Sequence, residues 1–397
     1  MDYYVHKKFL ITVALGVLTS SSWAQSSVTL YGIIDAGLTF NSNANGDRQY
    51  AMTSGNQSGS RFGFRGLEDL GGGMSTVFNI EAGYSTTTGA MGQNGTLFGR
   101  QAYVGVISKS YGQVTLGRQY STLYDFFAGL TSGNTWAAVG TGYGSHPADL
   151  DNMDSSNRVN NTVKYQSPLY HGFSMGTMYS FGNIAGSMSR NAIWGLAGSY
   201  SQGPLTIAAG YQATHTPNYS FWGNKANDSS TASNMRSPVF VGYSTAGEQD
   251  IFGGGLSYAV GPATLGFVYT NTRFRDLGSV AVSGLTAQQS ALRGTASFNS
   301  YEANGRYMVS PSLLLGLAYI YTRGGGAGGI EGANYHQVNI GADYFVSKRT
   351  DLYAVVAYEQ VSGFDSTGKP AVAALVGATP SSTNKQTVAV VGIRHKF

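Results

Sequence analysis

The sequence predicts an all-β protein: a transmembrane antiparallel β-barrel of sixteen strands with one long loop folded into its interior. Three observations predict it. Segment after segment splits by alternate position into an apolar and a polar set, short turns alternate with long loops, and only 11% of the chain is charged while Gly (56) and Tyr (27) are abundant. Soluble domains carry about 25% charged residues, so a surface this poor in charge is not built to face water throughout.

The alternation is clearest toward the C-terminal end. In 301–309, Tyr301, Ala303, Gly305, Tyr307 and Val309 oppose Glu302, Asn304 and Arg306; in 337–346, Val338, Ile340, Ala342, Tyr344 and Val346 oppose Gln337, Asn339, Gly341 and Asp343. Segment 351–359 repeats the pattern, with Leu352, Ala354, Val356 and Tyr358 against Asp351 and Glu359. The last segment sets Thr387, Ala389, Val391, Ile393, His395 and Phe397 against Gln386, Gly392, Arg394 and Lys396, while Val388 and Val390 blur its polar set. Side chains alternate across a strand, so one face meets hydrocarbon and the other water. Segments of about ten residues suit a tilted strand crossing a bilayer, whereas strands of globular proteins usually run to about 5–6. Segment 313–321 is apolar on both parities and points neither way.

At the N-terminal end, Lys7 and Lys8 precede an apolar run over 9–18 and a stretch closing on Ser22-Trp23-Ala24. This is the pattern of a secretory signal peptide, assigned to 1–24, which leaves 25–397 as the mature barrel domain. Loss of Asp2, Lys7 and Lys8 lowers the 24 basic and 20 acidic residues to 22 and 19, a formal net charge of +3. So small a surplus argues against nucleic acid as a partner. No later stretch approaches the roughly 20 apolar residues of a membrane helix, so a closed barrel is the remaining way to satisfy every backbone polar group in lipid. The chain has no cysteine, which excludes disulfides, thiolate catalysis and cysteine metal sites.

Tight-turn chemistry falls at 70–73, 110–112, 167–172, 202–204, 260–262, 310–312 and 347–350. Longer polar stretches lie between, at 41–57, 85–97, 119–157, 182–190, 213–249, 274–298, 323–333 and 362–385. Seven short turns, eight long loops and both termini on the short-turn side require sixteen strands, and this asymmetry is the bacterial outer-membrane pattern. A barrel of that size encloses a lumen that side chains do not fill, so its interior is expected to be an aqueous channel.

What narrows the channel then decides its function. Ser60-Arg61-Phe62-Gly63-Phe64-Arg65-Gly66 alternates two phenylalanines with Arg61 and Arg65, which turns both guanidinium groups into the lumen. Arg158, Thr162 and Lys164 share one parity opposite Val159, Val163 and Tyr165; Arg100 opens a strand whose matching parity, Ala102, Val104 and Val106, is apolar. Charge at membrane depth is costly and marks a pathway, although a solvated barrel wall is the plainer reading of these residues. Loop 119–157 combines Tyr124, Phe126, Phe127 and Trp136 with glycines and with Asp125, Asp149, Asp151 and Asp154. Loops this long are functional or disordered, and the aromatic content argues against disorder. Folded inward, it is expected to present its acids to the basic wall, setting a transverse field across a constriction.

Other motifs carry less. Residues 149–154 resemble a calcium-ligand run but lack the glycine and distal glutamate of a calcium loop. His146 beside Asp149, and His171 or His336 near serines, fix no nucleophile, base and orienting group together, so neither catalysis nor a cofactor is expected. Gly71-Gly72-Gly73 is followed by no helix and is a turn, not a phosphate cradle.

Ser27-Val28-Thr29-Leu30-Tyr31-Gly32-Ile33-Ile34-Asp35-Ala36-Gly37 resembles the first strand of the general diffusion porins of Gram-negative bacteria, in their betaproteobacterial and neisserial branch. Arg61-Phe62-Gly63-Phe64-Arg65-Gly66-Leu67-Glu68-Asp69-Leu70-Gly71 is similar to that family's second strand. Gly99-Arg100-Gln101-Ala102-Tyr103-Val104-Gly105 and Leu116-Gly117-Arg118-Gln119-Tyr120 resemble the strands before its constriction loop, and Arg394-His395-Lys396-Phe397 its terminal assembly signal. The resemblance implies a homotrimer in the outer membrane whose third external loop enters the lumen. It also implies contact with outer-membrane lipid and lipopolysaccharide, and recognition of Phe397 by the barrel-assembly machinery. By position it places Arg61, Arg65, Arg100 and Arg158 in the basic wall and Tyr124 and Asp125 at the start of the inward loop. The Pro-Glu-Phe-Gly stretch of enterobacterial porins is missing, so Asp149, Asp151 and Asp154 rest on their chemistry alone. The expected function is passive diffusion of ions and small hydrophilic solutes with a mild anion preference. The rival is a solute-selective channel, which needs an aromatic slide or a basic ladder in its lumen; an adhesin role for the loops and a soluble exported β-protein are further alternatives.

Overall fold

The computed structural model describes residues 27–397; the segment 1–24 assigned to a signal peptide lies outside the described residues. Its first half contains β1 (Ser27–Ala44), β2 (Asp47–Ser54), β3 (Arg61–Gly71), β4 (Met74–Gly83), β5 (Gln101–Ser108), β6 (Gly112–Gln119), β7 (Val159–Gln166) and β8 (Phe173–Ser180). The second half contains β9 (Ile193–Gln202), β10 (Leu205–His215), β11 (Glu248–Val260), β12 (Ala263–Leu277), β13 (Gly294–Ser310), β14 (Leu313–Gly325), β15 (Ala333–Phe345), β16 (Thr350–Gly363) and β17 (Lys385–Lys396).

From β3 onward each strand pairs antiparallel with the next, and β17 returns to β1 with Ile33 opposite Lys396, so no edge is left open to lipid. The upper part of β1 pairs with β2 and the lower part with β3, which makes β2 and β3 two halves of one barrel strand separated by an excursion at 55–60. The barrel therefore has sixteen strands, as expected. The seven short turns fall where turn chemistry placed them. The polar stretch 41–57 is a correction: β1 and β2 continue through it to a tight turn at Asn45 and Gly46, both at positive φ. Asparagine and glycine tolerate that backbone region, and the polar side chains flanking the turn belong to a wall standing above the membrane.

Exposure alternates along the strands as parity demands. In β16, Leu352 and Val356 face outward while Asp351, Tyr353, Val355, Ala357 and Glu359 are buried inside. Outward apolar residues such as Leu317, Ile340, Val391 and Ile393 are about half exposed or more, a band that suits contact with lipid. The protein's apolar core is inside the barrel, where loops pack against the inner wall.

Candidate functional site

Loop 120–158 folds into the lumen. It begins with a short helix, Thr122–Phe127, capped by Ser121, whose hydroxyl accepts from the Tyr124 amide at 3.2 Å. Leu123, Phe127, Leu130 and Met153 pack against Ala197, Ala208, Ile251 and Val268 of the inner wall. Glycines make the fit possible, since a Cβ on Gly253 would stand 3.1 Å from the Phe127 ring. Further along, Trp136 is buried over Gly316 and Gly341 of β14 and β15, where a Cβ on Gly341 would meet its ring at 2.8 Å. Trp136→Ala is expected to weaken loop docking by about 3–5 kcal/mol, as for other buried aromatics. Flickering single-channel current would report it; a record as steady as wild type would mean the polar ties alone hold the loop.

Those ties run to several strands. Glu302 of β13 accepts from the Ser132 amide at 2.6 Å and from Asn304 at 2.8 Å, and its second oxygen lies 3.1 Å from His146 Nε2. His146 Nδ1 is 2.5 Å from Asp151, which also accepts from Thr270 of β12 at 2.6 Å. Burial alone favours neutral imidazole, but Asp151 and Glu302 on its two nitrogens raise the His146 pKa well above its ordinary value. Amide side chains of the wall hold loop carbonyls: Gln57 donates to Trp136 O, Gln249 to Leu150 O, and Gln337 and Asn339 to Tyr143 and Gly144. Beside Gln57, Asn56 O in the excursion accepts from the Gly140 and Thr141 amides at 2.8 and 3.2 Å.

Between loop and wall remains a cavity of about 320 Å³ lined by Arg61, Arg100, Arg158, Tyr120 and Tyr124 on one side. Arg100 donates to Glu81 at 2.6 Å and to the Tyr120 hydroxyl at 2.7 Å. Arg61 lies 3.9 Å from the same carboxylate. Arg158 sits 4.9 Å from the Tyr120 ring centroid and donates to Ser155 O, a cation–π contact that leaves its charge without a carboxylate partner among the described residues. Tyr120 and Tyr124 stack with centroids 4.4 Å apart. The loop side of the cavity is made of Val139, Gly140, Thr141, Gly142, Ser145, Ser155 and Ser156, and of Asp154.

The structure thus gathers Arg61, Arg100, Arg158, Tyr124 and Asp154 around one opening. Arg65 lies four residues further along β3, over the Tyr31 ring at 5.5 Å. Lys164 and Asp125 are bound to each other at 2.6 Å, so they add little net charge to the opening. Asp149 and Asp151 do not reach it. Both are fully buried: Asp149 accepts from the amides of Asp154 and Ser156, and Asp151 holds His146, because the buried loop's own donors need acceptors more than the aqueous path does. Burial, then the charge of Asp149, pushes the Asp154 pKa well above the ordinary carboxylate range, so the acid facing the arginines favours its neutral form. Of the expected wall of loop acids, Asp154 alone of the three late aspartates lines the opening, among glycine and serine residues of the loop. Arg100 points inward despite its apolar parity partners because it precedes β5 and is outside the ladder.

Two contributors escaped sequence reasoning. Glu81, the partner of two arginines, is the acid two positions from Asn79 on the inner face of β4, a parity signal that was there to find. Residues 371–378 of the last loop also turn inward, with Leu375 buried beside Ala138 and Tyr143, and Val376 and Gly377 on the cavity. Their composition carries no mark that separates them from an external loop.

A closed barrel with an apolar exterior, a charged interior and a loop wedged across its lumen defines a channel-forming protein of the outer membrane. The chain belongs to the Gram-negative porin family, whose model matches residues 12–363. It is 30% identical to an outer membrane porin protein of Bordetella pertussis, covering 98% of this chain and 100% of that one. It is 29% identical to outer membrane porin protein 32 of Delftia acidovorans, with the same coverage. Among solved structures, an anion-selective porin from Comamonas acidovorans superposes with a TM-score of 0.69 at 24% identity, over 94% of this chain and 100% of that one. An OmpT loop L8 deletion mutant of Vibrio cholerae superposes with a TM-score of 0.63 at 17% identity, over 94% and 99%. The protein is an outer-membrane porin, a water-filled channel for passive diffusion of ions and small hydrophilic solutes.

Proposed function

We propose that this porin prefers anions and that Arg61, Arg100 and Arg158 impose the preference. The observation that carries the reading is the charge balance of the opening: Arg61, Arg100 and Arg158 line it with one carboxylate, Glu81, on the wall behind them, and the single acid on the loop side, Asp154, favours its neutral form. Positive potential in a narrow, partly desolvated passage raises the local concentration of anions. The structural likeness to a porin described as anion-selective points the same way. Reversal potential of the refolded protein in a planar bilayer under a salt gradient tests it. A potential of anion-selective sign supports the reading; a cation-selective sign overturns it and leaves the porin intact.

The working unit is read as a homotrimer in lipid and lipopolysaccharide, and Phe397 as the signal read during barrel assembly. Phe397 also closes the seam, since its amide and carbonyl each bond Gly32 at 3.1 Å. Deletion removes those bonds, whereas Phe397→Ala keeps the backbone and removes only the ring. Both are expected to lower the yield of heat-modifiable oligomer several-fold. Normal assembly of Phe397→Ala beside failure of the deletion would reduce the residue to a seam.

A further inference from the structure

The outer face of the barrel carries grooves between its strands, and one of them has a charged rim. Beneath the β5–β6 and β7–β8 turns, across the outward faces of β8, β9 and β10, lies a groove of about 1010 Å³. It exists because Gly198 and Ala209, paired across β9 and β10, are small where the neighbouring outward positions are large. Phe173 and Tyr200, with ring centroids 4.5 Å apart, wall it, and Tyr170, 73% exposed, overhangs it. Lys109, an exposed residue of the β5–β6 turn, stands at its rim and forms no ion pair among the described residues.

We propose that this groove binds one anionic glycerophospholipid, its acyl chain lying on Gly198 and Ala209 and its phosphate on Lys109. Three facts select this occupant. The groove opens on the lipid-facing parity, so hydrocarbon is what it meets. It lies on the short-turn side, where an outer-membrane barrel faces the phospholipid leaflet. An uncompensated lysine one turn above an apolar slot complements a phosphate attached to an acyl chain, an arrangement in which the charge stays at the interface while the chain is buried. The barrel wall of a second copy is convex, and docking it here would bury Lys109 without a counter-ion.

Native mass spectrometry of the delipidated, folded protein, titrated with phosphatidylglycerol, phosphatidylethanolamine or inorganic phosphate, tests this. One phosphatidylglycerol per chain is expected to be retained preferentially, with about tenfold weaker retention in Lys109→Glu and loss in Ala209→Trp, which fills the slot. Lys109 is an exposed turn residue, so its variant folds even if the tryptophan variant does not. Equal retention of both lipids, unchanged retention in Lys109→Glu, or binding of inorganic phosphate as tight as that of phosphatidylglycerol would each overturn the proposal. So would conversion of oligomer to monomer by Ala209→Trp without loss of lipid, which would make the face a contact between copies.

Discussion

Arg61→Gln combined with Arg158→Glu is expected to turn the channel toward cations, the largest functional change available from two substitutions. The pair removes two positive charges and adds one negative charge beside a cavity of about 320 Å³. At about 5 Å, one unit charge acts on a passing ion with about 0.8 kcal/mol in water and about 3.3 kcal/mol at an effective dielectric of about 20. A narrow aqueous opening lies between those limits. Because about 1.4 kcal/mol is a tenfold change, the anion-to-cation permeability ratio is expected to fall at least about tenfold. Arg100 is the wrong target, since its loss leaves Glu81 without its closest partner and disturbs the wall itself. Asp125→Asn with Lys164→Gln is the control: it removes an internally neutralised pair and is expected to leave the reversal potential nearly unchanged. A ratio that resists the arginine pair but follows the control pair would place selectivity outside this cavity.

The second large effect concerns the loop's anchor. Glu302→Gln removes the charge that holds His146 from the wall while keeping the shape, and breaking a buried ion pair in this way costs about 3–5 kcal/mol. The loop is expected to undock intermittently, read as larger and noisier single-channel conductance. The same anchor predicts a pH response, and its sign follows from linkage. His146 has a pKa raised above its ordinary 6.5, so docking gains its full contribution below 6.5 and loses it as pH climbs through the raised value. Asp149 acts in the same direction: burial, reinforced by Asp151, pushes it up to about 6, so its contribution fades between 3.8 and about 6. Docking therefore binds protons, and alkaline buffer is expected to loosen the loop while mildly acidic buffer firms it. In Glu302→Gln the alkaline step should begin at lower pH. Conductance noise that rises on acidification instead would show that another group governs the loop.

Several parts of this behaviour are legible in the residues. Parity correctly turned Arg61, Arg158 and Lys164 inward and Phe62, Phe64, Val391 and Ile393 outward, because a strand at a lipid boundary has only two faces and each tolerates one kind of side chain. Turn chemistry correctly separated the two ends of the barrel. Val388, Val390 and segment 313–321 resisted parity for a reason that the structure supplies. Val388 and Val390 face inward onto Ala138, Tyr143 and Leu375, and Ala318 meets Trp136, so these stretches are apolar on both faces because one face lies under an inward loop. The ambiguous strands were thus a footprint of the plug.

By itself the sequence determined the closed barrel, its strand number, its polarity and the existence of a basic wall behind a long aromatic-rich loop, because these depend on alternation and turn geometry over neighbouring residues. Only the tertiary structure decided what faces what across the lumen. Glu81, Arg100 and Tyr120 meet through adjacent strands, but Glu302 and His146 are 156 residues apart, and Asp149 and Asp151 were drawn into the loop's own hydrogen bonding instead of the opening. Whether a carboxylate serves a passing ion or a buried amide is settled by which donors surround it in space. Alternation along a chain is blind to those donors, since they arrive from loops and strands far away in sequence.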